Sequence, residues 1–180
     1  EAGPLARQVI AGREGAAEHQ DYDPLILDAL QKEGPNVLVR VMARMHEACK
    51  YYQLAQKWLS EIDLHDNFYT KPEELASGKG FGATEAARGS LSDWLVIEDG
   101  KIENYQVVTP PAWNIGPQDA QNVHGPMEQA FIGAPIQDPS DPVEMGHIAR
   151  SYDSCLVCTV HAYDGKTGRQ LSKFKLGKLG

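Results

Sequence analysis

Apolar residues recur at helical spacing in two stretches of the first third of the chain. A short apolar run from Asp23-Pro24 to Leu30 precedes Gly34-Pro35, which indicates a short helix that ends at this breaker. Between Asn36 and about Leu64, apolar residues return every three or four positions with charged residues between them: Val37, Val41, Met45, Ala48, Tyr52, Ala55 and Leu59. This period predicts a long amphipathic helix of a length that suits a helical bundle.

The pattern changes in the middle of the chain. Residues 76–90 are rich in glycine, which disfavours a helix or strand interior and predicts a loop that closely approaches another group. Trp94–Glu98 and Lys101–Val108 are rich in β-branched and aromatic residues, and Asp99-Gly100 between them suits a tight turn with positive φ. These features predict a two-stranded ribbon. A structured loop over residues 109–114 should follow it, because two adjacent prolines remove two strand donors.

The predicted elements indicate a mainly helical α+β fold, with long bundle helices and a small β-ribbon. Further short helices are predicted at about Pro126–Ile132 and Pro142–Arg150. The 180 residues contain no run of about 18 apolar residues, so no direct membrane span is expected. The net charge of -8 argues against a nucleic-acid partner.

Candidate chemistry is concentrated in the cysteines near the end of the chain. Cys49 has no second cysteine nearby and is predicted to be a small buried hydrophobe. Cys155 and Cys158 are separated by two residues, a spacing that lets both sulfurs bind one metal, and His161 follows three residues later. By itself this pattern is compatible with half of a zinc site, a redox pair, an iron-sulfur ligand pair, a nickel-iron centre or two buried structural cysteines.

The cysteine segment belongs to a larger set of motifs. Arg150 to His161 reads RSYDSCLVCTVH and resembles the D-P-C-x-x-C-x-x-H signature that closes nickel-iron hydrogenase large subunits. Three earlier segments resemble further motifs of that family, in the family's order: TEAARG at 84–89, DGKIENYQ at 99–106 and PPAWN at 110–114. Gly3–Arg7 and Arg40–Ala48 are also similar. The resemblance implies the C-terminal portion of the large-subunit fold over residues 1–161, followed by an extension over 162–180.

The resemblance also implies a role for each candidate residue. Cys155 would be a terminal thiolate on nickel, and Cys158 would bridge nickel to an iron that carries carbon monoxide and cyanide. His161 would bind a magnesium or similar ion, with the backbone carbonyl of Val107 as another ligand. Arg88 would lie over the metals and hydrogen-bond a cyanide, because a permanently charged, donor-only fork stabilises anionic ligands. Without its flanking motif, Arg88 is equally well interpreted as a surface ion pair.

Some positions depart from the family's pattern. Pro110 and Pro111 belong to the segment that would face the cyanides, where the family has serine or threonine in place of Pro111. Proline has no hydroxyl and no N–H, so a modified cyanide environment is expected. Ser154 and Ala87 replace prolines that precede the first cysteine and the arginine of the two motifs.

The implied function is that of an oxidoreductase that reversibly cleaves H2 into protons and electrons. The thiolates or Arg88 would accept the proton. The family's other C-x-x-C is not found in these 180 residues, so a separate chain or the rest of a longer protein would supply it. Electrons would leave through iron-sulfur clusters in a small subunit. The complex would be cytoplasmic, or associated with a membrane through its partners.

The extension and the function both leave alternatives open. Residues 162–180 contain five basic residues and one acid, Asp164, and are either a maturation peptide still in place or a segment that docks on an acidic partner. The chain would alternatively be a hydrogen sensor or a non-catalytic hydrogenase-like module. A zinc-stabilised structural domain is a third interpretation, which predicts one zinc per chain and no cyanide.

Overall fold

Along the described parts of the chain, three helices are followed by three strands, three shorter helices and two final strands. The computed structural model describes residues 1–13, 22–70, 75–154 and 159–175. The helices in these ranges are α1 (Pro4–Arg13), α2 (Pro24–Glu33), α3 (Val37–Glu61), α4 (Pro110–Asn114), α5 (Pro126–Phe131) and α6 (Val143–Ser151). The strands are β1 (Gly78–Ala86), β2 (Gly89–Glu98), β3 (Lys101–Val108), β4 (Thr159–Tyr163) and β5 (Gln170–Lys175). The mainly helical α+β prediction is confirmed.

The first three helices pack around one small core. Its buried residues, one or two from each helix, are Leu5, Ile26, Val39 and Ala43. Helix α2 begins after Asp23, whose side chain accepts a hydrogen bond from the Leu25 N–H, and it ends at Gly34 with a φ of 69°. Asn36 caps α3 in the same way. Both predicted helices are therefore present, and both begin at a capping side chain.

The apolar stripe predicted for α3 is not its buried face. The fully buried residues of this helix are Val39, Arg40, Ala43 and Glu47, whereas Met45, Tyr52 and Leu59 of the stripe are exposed. Two charged residues are buried because each has an ionic partner: Arg40 pairs with Glu1 at 2.9 Å, and Glu47 pairs with Arg7 at 2.6 Å. Specific ion pairs, which periodicity does not reveal, thus select the buried face.

The prediction that Cys49 is buried is wrong. Cys49 is a free cysteine whose side chain is exposed. It lies on α3 two residues after Glu47, the last buried residue of the helix. The helix has left the core by this point, so nothing in the described residues covers the thiol.

Residues 78–86 form a strand, which corrects the prediction of a loop over 76–90. Strand β1 pairs antiparallel with β2 from Gly78↔Ile97 to Ala86↔Gly89, at the edge of a three-stranded sheet. Its glycines at 78, 80 and 82 alternate along the strand and therefore share one face. Glycine weakens a strand because it has no side chain to pack, so β1 depends on its pairing with β2. The predicted β2–β3 ribbon is confirmed, with Asp99 (φ 50°) and Gly100 (φ 71°) at its turn.

After β3, the described residues include one short helix and two strands that the sequence did not predict. Residues 110–114 form a short helix rather than a loop. Proline is tolerated at the first two positions of a helix, because the N–H groups there have no acceptor within the helix. Helices α5 and α6 agree with prediction. Strands β4 and β5 pair as an antiparallel hairpin that includes much of the basic extension. None of the described helices is long and apolar enough to cross a membrane.

Candidate functional site

The two cysteines of the C-x-x-C motif lie outside the described residues, but the backbone leading to them is described. Helix α6 ends at Ser151, and Asp153 then adopts a φ of 53°, which is uncommon for a residue with a side chain. The Ser154 hydroxyl donates to the Ala149 carbonyl at 3.1 Å and is buried. Serine at this position therefore satisfies a carbonyl at the helix end that would otherwise lack a partner.

Arg88 lies at the tip of the hairpin formed by β1 and β2. Ala86 pairs with Gly89, so Ala87 and Arg88 form a two-residue turn. Gly89 has a φ of 132°, and a Cβ placed on it would be 2.8 Å from the backbone nitrogen of Gly3. Gly3 has a φ of 113°, and a Cβ there would be 2.9 Å from the Arg88 carbonyl oxygen. The turn thus lies against the backbone that precedes α1, at a distance only glycine allows.

The structure brings Arg88 to Asp153, directly before the cysteine motif. The Arg88 Nε lies 3.4 Å from the Asp153 Oδ2, and the Arg44 Nε lies 3.7 Å from the same oxygen. Arg44 also donates from Nη2 to the Ser151 carbonyl at 3.2 Å. Both Nε atoms are shielded from solvent and complete no hydrogen bond with the described residues. Asp153 was not predicted to have a role, although it is the aspartate of the D-P-C motif.

Pro110 and Pro111 are joined to the start of the chain through Asn114. Pro110 is buried at the first position of α4, and Asn114, at the last, is 2% exposed. The Asn114 Oδ1 accepts from the Ala2 N–H at 2.8 Å, and its Nδ2 donates to the Ala2 carbonyl at 3.0 Å. This side chain therefore pairs with both polar groups of one backbone residue. The importance of Asn114 was not predicted from the sequence, because its partner Ala2 is 112 positions away.

Arg7 connects α1, α3 and β1, the strand that leads to the turn bearing Arg88. Its Nε and Nη2 each donate to Glu47 at 2.6 Å, and its Nη1 donates to Glu85 at 2.7 Å. Two further bonds go to the carbonyls of Ala86 (3.0 Å) and Ala87 (3.1 Å). Burial by itself lowers the pKa of Arg7, but Glu47 and Glu85 outweigh it and raise the pKa above its ordinary value. Arg7 therefore remains charged.

The two residues expected at the magnesium site, Val107 and His161, contact different partners. Val107 lies in β3 opposite Asp93, and its carbonyl accepts from the Gln106 side chain at 3.2 Å. His161 is an exposed residue of β4, and its ring is stacked on Tyr163 with the centroids 6.3 Å apart. No hydrogen bond joins Val107 to His161 in the described parts of the chain. Their shared role as ligands stays a prediction.

A buried network orients Tyr152, three residues before Cys155. The Tyr152 hydroxyl accepts from the Arg40 Nη2 at 2.7 Å and donates to the Pro126 carbonyl at 2.8 Å. The Arg40 guanidinium also lies 4.0 Å from the centre of the Tyr152 ring. Burial, partly offset by the charge of Arg40, raises the pKa of Tyr152 to about 12, with a further contribution from Glu1. The network holds α3, α5 and the end of α6 together.

A Tyr152→Phe variant is expected to lose about 1–3 kcal/mol of stability near neutral pH, because two buried polar partners lose their hydrogen bond. The hydroxyl stays neutral in the folded protein up to about pH 12 but ionises above about pH 10 when unfolded. Its contribution is therefore complete below pH 10 and is lost as the pH rises towards 12. Denaturation of both proteins at pH 8 and pH 11 measures this. An equal difference in stability at the two values would contradict it.

The residue types of the motifs suit the centre that the motifs imply. Thiolates are soft ligands suited to nickel and iron, and Cys155 and Cys158 would supply two of them. The Arg88 Nε, shielded from solvent and without a hydrogen bond, is a donor suited to an anionic ligand such as cyanide. The described residues contain no group of three or more His, Cys, Asp or Glu side chains that could hold a metal.

Comparison with known proteins gives the same family as the motifs. The family model for nickel-dependent hydrogenase matches residues 1–161. The large subunit of the periplasmic NiFeSe hydrogenase of Desulfomicrobium baculatum is 43% identical over 115 residues, covering 64% of this chain and 22% of that protein. The Hydrogenase-2 large chain of Escherichia coli K12 is 35% identical, with 91% of this chain and 32% of that protein covered.

Solved structures agree. The Ni-Fe-Se hydrogenase from D. vulgaris Hildenborough in the reduced state superposes with a TM-score of 0.74 at 31% identity, over 86% of this chain and 34% of that chain. This chain thus spans about a third of the length of these relatives or less. On the family match, the sequence identity and the shared fold, the chain belongs to the nickel-dependent hydrogenase family and corresponds to part of the large subunit.

Proposed function

We propose that this chain contributes half of the nickel-iron centre of an enzyme that reversibly cleaves H2 into protons and electrons. Cys155 would hold nickel as a terminal thiolate, and Cys158 would be a ligand shared by nickel and an iron that carries carbon monoxide and cyanide. His161 binds a magnesium or similar ion, together with the carbonyl of Val107. Arg88, Pro110 and Pro111 face the cyanides.

The observation that carries the proposal is the meeting of Arg88 with Asp153. These residues come from two motifs that are 65 positions apart, and their charged groups lie 3.4 Å from each other. Asp153 is two residues before Cys155, so the contact places the guanidinium beside the start of the cysteine motif. A surface ion pair would also join these charges. What favours the proposal is that each residue comes from a motif of the family, because the Arg44 Nε beside the same carboxylate is equally shielded and also completes no hydrogen bond with the described residues.

The residues of this chain divide the chemistry between them. The metals, when bound, supply the position at which H2 is cleaved and to which its electrons pass. Arg88 holds a permanent positive charge and donates hydrogen bonds to anionic ligands, and this charge stabilises developing negative charge nearby. Asp153 orients Arg88 and balances its charge. Because a guanidinium does not release its proton, the thiolates of Cys155 and Cys158 are the better proton acceptors.

The remaining ligands and the electron path require other polypeptide. We propose that the rest of the large subunit, as a separate chain or as further sequence of the same protein, supplies the second pair of cysteines. An iron-sulfur small subunit takes the electrons. For location, we propose the cytoplasm or a membrane reached through partners, whereas the D. baculatum relative is periplasmic by its name. For residues 162–180, both the maturation peptide and the docking segment remain proposals.

Infrared spectroscopy of the complex purified from its native host tests the proposal. Carbon monoxide and cyanide bound to iron absorb in a region that is free of protein bands. We expect such bands, and we expect them to change when H2 is added. A complex that contains one zinc per chain and none of these bands would support the structural zinc domain instead. Bands that respond to H2 without turnover would favour a sensor.

A further inference from the structure

The motif at the start of the chain, Gly3–Arg7, has no role in the proposed chemistry. Together with Ala2, which precedes it, the motif nevertheless contacts both segments proposed to face the cyanides. Arg7 reaches the turn that carries Arg88, and the backbone of Ala2 is held by Asn114 at the end of α4. The segment Ala2–Arg7 therefore lies between two parts of the candidate site without belonging to either.

Arg7 fixes the backbone on the approach to Arg88. The carbonyls of Ala86 and Ala87, the two residues before Arg88, both accept from its guanidinium. A planar fork with donors in fixed directions imposes an orientation on both peptide groups. The same guanidinium forms two parallel hydrogen bonds to Glu47, 9% exposed, on helix α3. Arg7 thus holds the turn in a fixed position relative to helix α3.

The close approach of Gly3 and Gly89 fixes the other side of the turn. Neither residue has room for a Cβ, since the nearest backbone atoms would lie at 2.9 and 2.8 Å. The turn is consequently held by Arg7 on the side before Arg88 and by Gly3 on the side after it. A residue between two such contacts keeps its backbone position even where its own side chain is half exposed.

Asn114 extends the same arrangement to Pro110 and Pro111. Its amide pairs with both polar groups of Ala2, and its side chain is almost completely buried. Ala2 is next to Gly3, so one short stretch of backbone touches α4 and the Arg88 turn. Residues 2 and 3 therefore connect the two segments that are proposed to face the cyanides.

We propose that Arg7 is a positioning residue that fixes the turn bearing Arg88, and that Ala2–Arg7 sets the spacing between this turn and helix α4. The inference rests on the proposed function, because the position of Arg88 matters to the chemistry only if the metals lie beside it. Arg7 touches neither substrate nor metal and acts through Arg88. Its effect therefore depends on which side chain occupies position 88.

An Arg7→Lys variant of the complete complex tests this, because lysine keeps the charge but cannot reach two carboxylates and two carbonyls at once. We expect the cyanide bands to shift and H2 turnover to fall about 10-fold to 100-fold in protein that still contains nickel. Arg13→Lys, an exposed position on the same helix, is the control and should leave both unchanged. If Arg7→Lys does not assemble, Glu85→Gln removes one anchor and should give a smaller shift.

Combination with Arg88→Lys separates positioning from general stability. We expect Arg7→Lys to shift the bands in the native background and to add nothing when position 88 is lysine. An equal shift in both backgrounds, or unshifted bands in a nickel-containing Arg7→Lys complex, would overturn the inference. Absence of cyanide bands from the unsubstituted complex would overturn the proposed function, and the inference with it.

Discussion

H2 oxidation by an Arg88→Lys complex is expected to be about 100-fold slower than that of the unsubstituted complex, with nickel retained. Removal of one well-placed hydrogen-bond donor from a charge-stabilising site typically costs about 10²–10³ in rate. Lysine keeps the positive charge, so the ion pair with Asp153 can persist. The planar fork and its shielded Nε are lost. The loss would therefore come from directed hydrogen bonding rather than from charge.

Turnover per nickel is the measurement that decides this, because it separates slow chemistry from poor assembly. Arg13→Lys makes the same chemical change at an exposed position and should have no effect. If Arg88→Lys retains full turnover per nickel, Arg88 is a surface ion pair, and the contact with Asp153 has only a structural meaning.

A Gly89→Ala substitution is expected to destabilise the protein by about 3 kcal/mol or more. Position 89 has a φ of 132°, a conformation that costs a residue with a side chain about 1–3 kcal/mol. The added methyl would also lie 2.8 Å from the Gly3 nitrogen, so the Arg88 turn and the segment before α1 must separate. Both costs fall on the same turn. We therefore expect loss of nickel as well as of stability.

Gly82→Ala is the matched control for this change. Gly82 lies in β1 with nothing within 4 Å of an added Cβ, and its φ is ordinary for a strand. Thermal unfolding of both variants, with nickel content measured on the same samples, compares them directly. Equal unfolding midpoints would mean that the close approach of Gly3 and Gly89 is not required for folding.

The elements that the sequence predicted well are those with a local cause. Helices α2 and α3 begin at Asp23 and Asn36, which are recognisable caps, and the ribbon turns at Asp99-Gly100. Strand β1 was missed because its glycines disfavour a strand locally, whereas its partner β2 supplies the ladder. Pairing with a distant segment is decided by tertiary structure, and local composition does not report it.

The candidate site was also predicted only in part from the sequence. The motifs identified Arg88, and the structure places it beside the backbone that leads to Cys155. Asp153 was overlooked, because an aspartate in a turn is common and its two arginine partners lie far away in sequence. Arg7 and Asn114 were overlooked for the same reason, since their importance comes from backbone groups of distant residues. Hydrogen bonds to the backbone of distant residues, unlike those of helix caps, leave no pattern in the sequence.

The exposed end of helix α3 affects how the isolated chain behaves in solution. At 25 residues it is about 37 Å long, yet its last buried residue is Glu47, and Trp58 and Leu59 near its far end are exposed. Two copies of the isolated chain would bring these bare apolar ends together, because exposed apolar patches associate in water. Light scattering from the isolated chain at increasing concentration would detect this self-association without any assay of turnover.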